Sequence, residues 1–189
     1  MHITLPTKVK QIISRLEKAD FEAYAVGGCV RDSILQRSPE DWDITTSAKP
    51  EEVKRLFSAT IDTGLQHGTV TVVIEKEGFE VTTFRLDGEY TDGRHPDRVA
   101  FTSSLTEDLR RRDFTINAMA YSEKRGLIDE FDGERDLEDG IIRAVGDACE
   151  RFSEDALRML RAIRFAGQLN FKIEEKTFDA IKELSSNIS

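Results

Sequence analysis

The sequence predicts an α+β fold, with a sheet-bearing head over residues 1–147 followed by a helical segment over residues 148–189. Three observations carry this. The β-branched runs "GTVTVVIE" (68–75) and "FEVTTFR" (79–85) form a hairpin pattern. Val9, Ile12, Ile13 and Leu16 recur at helical spacing near the start of the chain. After Phe152 the character changes, and "SEDALRMLRAIRFAGQLNF" and "EEKTFDAIKELSSNIS" both read as helix.

In order, residues 7–19 make an amphipathic first helix, "FEAYAV" (21–26) a short buried strand, and "CVRDSILQ" (29–36) a short helix after Gly27-Gly28. "DWDITT" (41–46) is the next strand and "PEEVKRLF" (50–57) another helix. The hairpin follows, with Lys76-Glu77-Gly78 as its expected connection. Leu86 to Arg98 is polar and glycine-containing, with little to bury; ordered loops of that kind are often lids or binding loops. Ser104 and Glu107 make a capping-box pattern opening a helix that runs to the arginines at 110–112. "LIDEF" (127–131) and "IIRAVG" (141–146) read as two more short strands. There is no internal repeat or low-complexity tract.

Composition narrows the function classes. With 189 residues, 39% hydrophobic and 33% charged, the chain is globular in character. Its two cysteines, Cys29 and Cys149, do not make a disulfide framework and suit a reducing compartment. No apolar run approaches the roughly 18 residues that span a membrane, and the N-terminus lacks a signal-peptide core, so a cytoplasmic protein with no membrane partner is expected. A net charge of −9 makes the chain a poor general polyanion binder, so any nucleotide or nucleic acid must be held by a local basic site or through metal ions.

Four constellations carry chemistry. In a strand, Asp41 and Asp43 would share a face, about 6–7 Å apart, as a hard divalent cation requires; a solvated strand edge reads the same way. Glu80 in the second hairpin strand either sits on a solvated sheet face or joins these aspartates. Gly27-Gly28 between strand and helix, with Arg31 one turn in, suits a phosphate, and equally a plain tight turn. In "RRRDFTINAMAY" (110–121) the arginines complement a helix dipole, but Asp113 and Asn117, one turn apart ahead of apolar residues, do not follow from that.

The fourth constellation is "SEDALRMLRAIRF" (153–165). Asp155, Arg158, Arg161 and Arg164 recur every third residue, a stripe winding about 60° per step. Over residues 151–168, four arginines face Glu154 and Asp155, a local excess of two positive charges. An ordinary capped helix, with Ser153 as N-cap and an Asp155–Arg158 surface pair, accounts for these features taken alone.

Taken together and in order, "AVGGCVRD", "DWDITT", "FEVTTFR", "RRDFTINAM", "DLEDGIIRAVG" and "RFSEDALRMLRAIRFA" resemble the class II tRNA nucleotidyltransferases, or CCA-adding enzymes, and the related bacterial poly(A) polymerases. The resemblance covers nearly the whole chain. It implies a polymerase-β-like nucleotidyltransferase head, a mixed and mostly antiparallel sheet with flanking helices, followed by the start of an α-helical neck. The head would be residues 1–147 and the neck 148–189, without the family's C-terminal body and tail. A shortened chain or an unusually small family member is the corresponding expectation.

By the same resemblance, Asp41 and Asp43 hold two Mg²⁺ ions, with Glu80 as the third catalytic carboxylate. Gly27, Gly28, Arg31 and Arg112 fall in the motifs that contact the incoming triphosphate. Asp113 and Asn117 fall in the ribose motif, and Asp136 to Arg143 in the hinge between head and neck. Asp155 and Arg158 are the base-reading pair, with Arg161 and Arg164 supporting the nucleotide. That pairing is chemically apt: cytosine and adenine each offer an amino donor beside a ring-nitrogen acceptor, which a carboxylate and a guanidinium match. Uracil and guanine reverse the pattern, and such sites discriminate by factors of about 10⁴. The implied activity is template-independent addition of CMP and AMP from CTP and ATP to tRNA 3′ ends, with weak tRNA affinity in this chain. A-adding, CC-adding and poly(A) synthesis are the alternatives within the same chemistry. The stretch "DGEYTDGRHPDRV" (87–99) weighs against CC-only addition, because that type resembles the family with this loop shortened. From another class come a non-catalytic nucleotide- or RNA-binding module and an inert fragment; the three retained acids argue against the former.

Overall fold

A computed structural model describes residues 2–88 and 99–188. The elements, in order, are α1 (Thr7–Lys18), β1 (Ala23–Val26), α2 (Gly28–Ile34), β2 (Asp43–Thr46), α3 (Pro50–Leu56), β3 (Thr60–Gly64), β4 (Thr69–Ile74), β5 (Glu77–Thr83) and β6 (Arg85–Asp87). After these come β7 (Val99–Phe101), α4 (Leu105–Arg110), β8 (Ala120–Ser122), β9 (Gly126–Ile128), α5 (Gly133–Asp139), β10 (Ile141–Ile142), α6 (Ala148–Glu154), α7 (Leu157–Leu169), β11 (Lys172–Ile173) and α8 (Glu175–Leu184).

Seven strands form one sheet in the order β3-β4-β5-β2-β1-β8-β9, with β2 and β5 parallel and every other neighbour antiparallel. This is the mixed, mostly antiparallel sheet the sequence implies. The register decides what gathers at one end. Val26 lies opposite Asp43, Val26 also opposite Ala120, and Ile44 beside Val81. The end of β1 with Gly27, the start of β2 with Asp43, and Glu80 of β5 therefore lie toward the same end of the central strands. The Gly27 N–H donates to the Met119 carbonyl at 3.1 Å, which seats the glycine turn against the segment leading into β8.

The amphipathic pattern of α1 is realised as read: Val9, Ile12, Ile13 and Leu16 are its buried residues. The main core runs without a break from the sheet into the C-terminal helices. Phe114, fully buried ahead of β8, meets the Phe152 ring of α6 at 6.5 Å and the Phe165 ring of α7 at 5.9 Å. Backbone pairing ties the same parts together, since β10 runs parallel to β11, and Phe114 bridges to Ala144.

Several local expectations are corrected. Asp41 and Trp42 precede β2 rather than forming part of it, so the two aspartates are not related by strand alternation. The hairpin turns at Glu75-Lys76, with φ of 49° and 68°, while Glu77 and Gly78 already pair with Ile74 and Val73. Positive φ at both central positions is the twist-matched two-residue turn, usually written with Asn or Gly, so the glycine drew the reading two residues too far on. Arg85–Asp87 pairs with Val99–Phe101 as a ribbon rather than starting a loop; the remainder of that loop expectation, residues 89–98, lies outside the described residues. The α4 helix stops at Arg110. Its cap is half a capping box: Ser104 Oγ accepts from Glu107 N–H, while the Glu107 carboxylate turns to Arg110. Only Ile141–Ile142 of "IIRAVG" is strand, and Ser153 lies inside α6 rather than capping the next helix.

Because Phe114 supplies the contact between sheet and helices, Phe114→Ala is expected to cost about 3–5 kcal/mol. Urea unfolding followed by circular dichroism should show it as a shifted single transition; a second transition in the variant would mean the two parts fold independently.

Candidate active site

At this end of the central strands, the turn after β1, the segment 111–117 and helix α7 enclose a cleft of about 510 Å³. Six arginines line it (Arg31, Arg85, Arg111, Arg112, Arg158 and Arg161) against the acids Asp43, Asp113 and Asp155. In a chain of net charge −9 this is the local basic site that composition requires. Gly27 and Gly28 form its floor. Gly27 has φ +80°, and a Cβ there would lie 3.2 Å from Arg112 Nη1, so the glycine permits both the turn and the close approach of that guanidinium.

The arginines are placed by acids. Asp108 of α4 is fully buried; its Oδ1 accepts from the Arg85 backbone N–H (3.2 Å) and Arg111 Nη2 (3.0 Å). Its Oδ2 accepts from Thr45 Oγ1 (3.0 Å) and lies 3.6 Å from Arg112 Nη2. Burial opposes the charge of Asp108, yet Arg111 and Arg112 outweigh it and hold the carboxyl below the ordinary aspartate range. Burial also lowers the pKa of Arg112, countered chiefly by Asp108. Its Nε is buried with no acceptor among the described residues.

A second chain of contacts crosses the cleft. Arg31 is held in a fork by Asp32, at 2.9 and 3.1 Å, and donates to Asn117 Oδ1 at 2.7 Å. Asn117 Nδ2 reaches Asp113 Oδ1 at 3.3 Å, and Arg161 of α7 grips Asp113 Oδ2 at 2.7 and 2.6 Å. Asp155 stands at the joint between α6 and α7, where its Oδ1 accepts from the Leu157 N–H and starts the second helix. Arg158 is buried; it donates to Glu154 Oε2 at 2.6 Å and to the Arg111 carbonyl at 3.1 Å, hooking the helix onto the head.

A second cavity, of about 710 Å³, adjoins the first and shares Gly28, Arg31, Asp43 and Phe165 with it. Asp41, Arg37 and Arg164 line this side. Asp43 remains solvent-exposed overall, but partial desolvation of its carboxyl, then the charges of Glu80 and Asp41, raise its pKa against the pull of Arg112. Glu80 is exposed on β5 beside Asp43 and lines neither cavity. Among the described residues, no group of three or more His, Cys, Asp or Glu is gathered to hold a metal ion. The donor set therefore offers Asp41 and Asp43, which fits a cation that takes one or two carboxylates and completes its shell with water and phosphate oxygens.

Eleven of the sequence-derived positions (Gly27, Gly28, Arg31, Asp43, Arg112, Asp113, Asn117, Asp155, Arg158, Arg161 and, on the adjoining side, Arg164) line this joined site, and Asp41 lies with them. Sequence reasoning missed Asp108, Asp32, Glu154 and Phe165. Asp108 was legible only as an acid three and four residues before two arginines.

A mixed sheet with flanking helices, opening at the ends of its central strands on an arginine-rich cleft faced by Asp43, Asp113 and Asp155, defines a polymerase-β-like nucleotidyltransferase head. Residues 23–143 match the poly(A) polymerase head domain. The chain is 58% identical over 174 residues to the CCA-adding enzyme of Pediococcus pentosaceus (92% of this chain, 44% of that protein). It is 56% identical over 178 residues to that of Ligilactobacillus salivarius (94% and 44%). The crystal structure of the Bacillus stearothermophilus CCA-adding enzyme in complex with CTP matches with a TM-score of 0.89 at 46% identity, over 99% of this chain and 46% of that one. The chain belongs to the poly(A) polymerase head-domain family, and it spans a little under half the length of the relatives it matches.

Two stability predictions follow from the charges. The raised pKa of Asp43 means the folded state holds its proton more tightly than the unfolded chain, so stability falls as pH rises through that interval. Asp43→Asn should therefore melt at a higher temperature than the parent at neutral pH, with the difference vanishing at low pH, measured by scanning calorimetry. Asp108 is the opposite case: its contribution is present above the unfolded pKa and lost as pH falls below about 4. Asp108→Asn, which removes the buried carboxylate shared by Arg111 and Arg112, should cost about 3 kcal/mol at pH 7 and progressively less on the acid side of that value.

Proposed function

We propose that this protein is a template-independent nucleotidyltransferase that adds CMP and AMP to tRNA 3′ ends, using CTP and ATP and releasing pyrophosphate. The observation that carries the reading is one cleft lined by Asp43, the phosphate-suited Arg31 and Arg112, and both Asp155 and Arg158. The curated relatives bearing the CCA-adding name and the CTP-bound neighbour support it. Asp41 and Asp43 would hold Mg²⁺, which when bound lowers the pKa of an attacking hydroxyl and stabilises the departing pyrophosphate. Glu80, beside Asp43, adds negative charge that favours cation binding there.

Arg31 and Arg112 supply forked donors for triphosphate oxygens, the latter from a buried position whose Nε has no acceptor among the described residues. Asp113 and Asn117 face the sugar. Asp155 accepts and Arg158 donates, which pairs with the amino group and ring nitrogen shared by cytosine and adenine. Arg161 and Arg164 support the nucleotide from the same helix. Residues 1–147 serve as head and 148–189 as the beginning of a neck. Two free cysteines accord with a cytoplasmic setting; among the described residues, no helix is long and apolar enough to cross a membrane.

Incubation with labelled CTP and ATP and a tRNA ending at its discriminator base should extend the tRNA by three nucleotides. Addition of A alone, or of a long A tract, would replace this reading with the corresponding relative; no incorporation would overturn it. Asp41→Ala and Asp43→Ala should each reduce incorporation about a thousandfold, the factor that several kcal/mol of transition-state stabilisation represents, while CTP binding persists in part.

A further inference from the structure

Phe165 has no assigned part in the chemistry above, yet three cations surround it. The guanidinium carbons of Arg31, Arg161 and Arg164 lie 5.1, 5.4 and 5.1 Å from its ring centroid. Helical spacing brings Arg161 there, four residues earlier on α7. Arg31 comes from α2 in the head, so its presence reflects tertiary placement. Phe165 is 6% exposed and held edge-on by Phe114 at 84° between ring planes, so it does not swing freely. It borders both cavities.

Three like charges at that radius from one point repel one another. Arg31 is offset by Asp32 and Arg161 by Asp113, whereas Arg164 makes no ion pair among the described residues. The negative faces of an aromatic ring attract guanidinium groups, by about 0.5–2 kcal/mol depending on desolvation. An aliphatic side chain of the same size would fill the space without that attraction.

We propose that Phe165 is a positioning residue for polyphosphate recognition: its ring holds Arg31, Arg161 and Arg164 converged, so that the N–H groups not engaged by Asp32, Asn117 and Asp113 stand ready for an anion before one arrives. This deepens the nucleoside-triphosphate reading of the cleft and rests on it. The ring touches no reacting atom in this role; it acts through the arginines.

The test replaces Phe165 with 4-fluoro-, 3,5-difluoro- and 3,4,5-trifluorophenylalanine, which withdraw π density stepwise while nearly keeping the shape. Binding of CTP, inorganic triphosphate and cytidine is measured by calorimetry, with thermal melting in parallel. The dissociation constants for CTP and triphosphate should rise with each fluorine, to about fivefold for the trifluoro ring. Cytidine affinity should stay level, whereas the melting temperature should fall with each fluorine, because the attraction between ring and arginines is present in the unliganded fold; it would not change if the residue merely filled space. Unchanged affinities for CTP and triphosphate across the series would overturn the proposal, and so would cytidine binding weakening in step with them. If the unsubstituted protein binds neither CTP nor triphosphate, the cleft reading falls and takes this inference with it.

Discussion

Guanidinium groups repel one another, and every feature of the cleft answers to that constraint. Six arginines line a cavity of about 510 Å³. They are held by carboxylates set behind or between them, with Asp108 beneath Arg111 and Arg112, Asp32 beside Arg31, and Asp113 against Arg161. Asp108 is the most consequential of these, because it is fully buried and also ties to Thr45 of β2 and the backbone of Arg85. It fixes the arginine segment to the central strand. Arg112 can then lie across Gly27, a position any Cβ there would crowd.

The C-terminal helices are part of this arrangement rather than an addition to it. Arg158 donates to the Arg111 carbonyl and Arg161 to Asp113, while Phe114 interlocks with Phe152 and Phe165 below. Polar contacts at the cleft and aromatic contacts under it thus fasten the same two bodies. Asp136, buried in α5, extends the fastening: it accepts from Thr115 Oγ1 and from Arg143, whose other end reaches Glu174 at the start of α8. The segment resembling a hinge in sequence is, in this arrangement, tied down at both ends, by Asp136 and by Arg143.

Most of the fold was legible because its signals are local. The α1 stripe, the hairpin and the helical character after Phe152 each arise from spacing within a dozen residues. The site was legible at the level of motifs, since their order along the chain carries information that no single Asp-x-Asp or Gly-Gly does. What escaped were features set by tertiary placement. Asp108 looks like an ordinary helix-surface acid until β2 and the arginines close over it. Phe165 looks like one more core aromatic until Arg31 arrives from another element. The turn at Glu75-Lys76 escaped because neither residue advertises left-handed backbone, and Asp41 fell outside its strand because two residues of a pattern do not fix where pairing begins.

The pairing of β2 carries one more implication. Its first residue is the cleft acid Asp43 and its second the core residue Ile44, on opposite faces of the pleat. Displacing that strand by one position would drive a carboxylate into the hydrophobic interior and leave an isoleucine at the cleft. Insertions or deletions between Gly27 and Thr46 that shift this parity thus injure core and site in the same stroke, so the apolar packing of Ile44 proofreads the placement of the acid beside it.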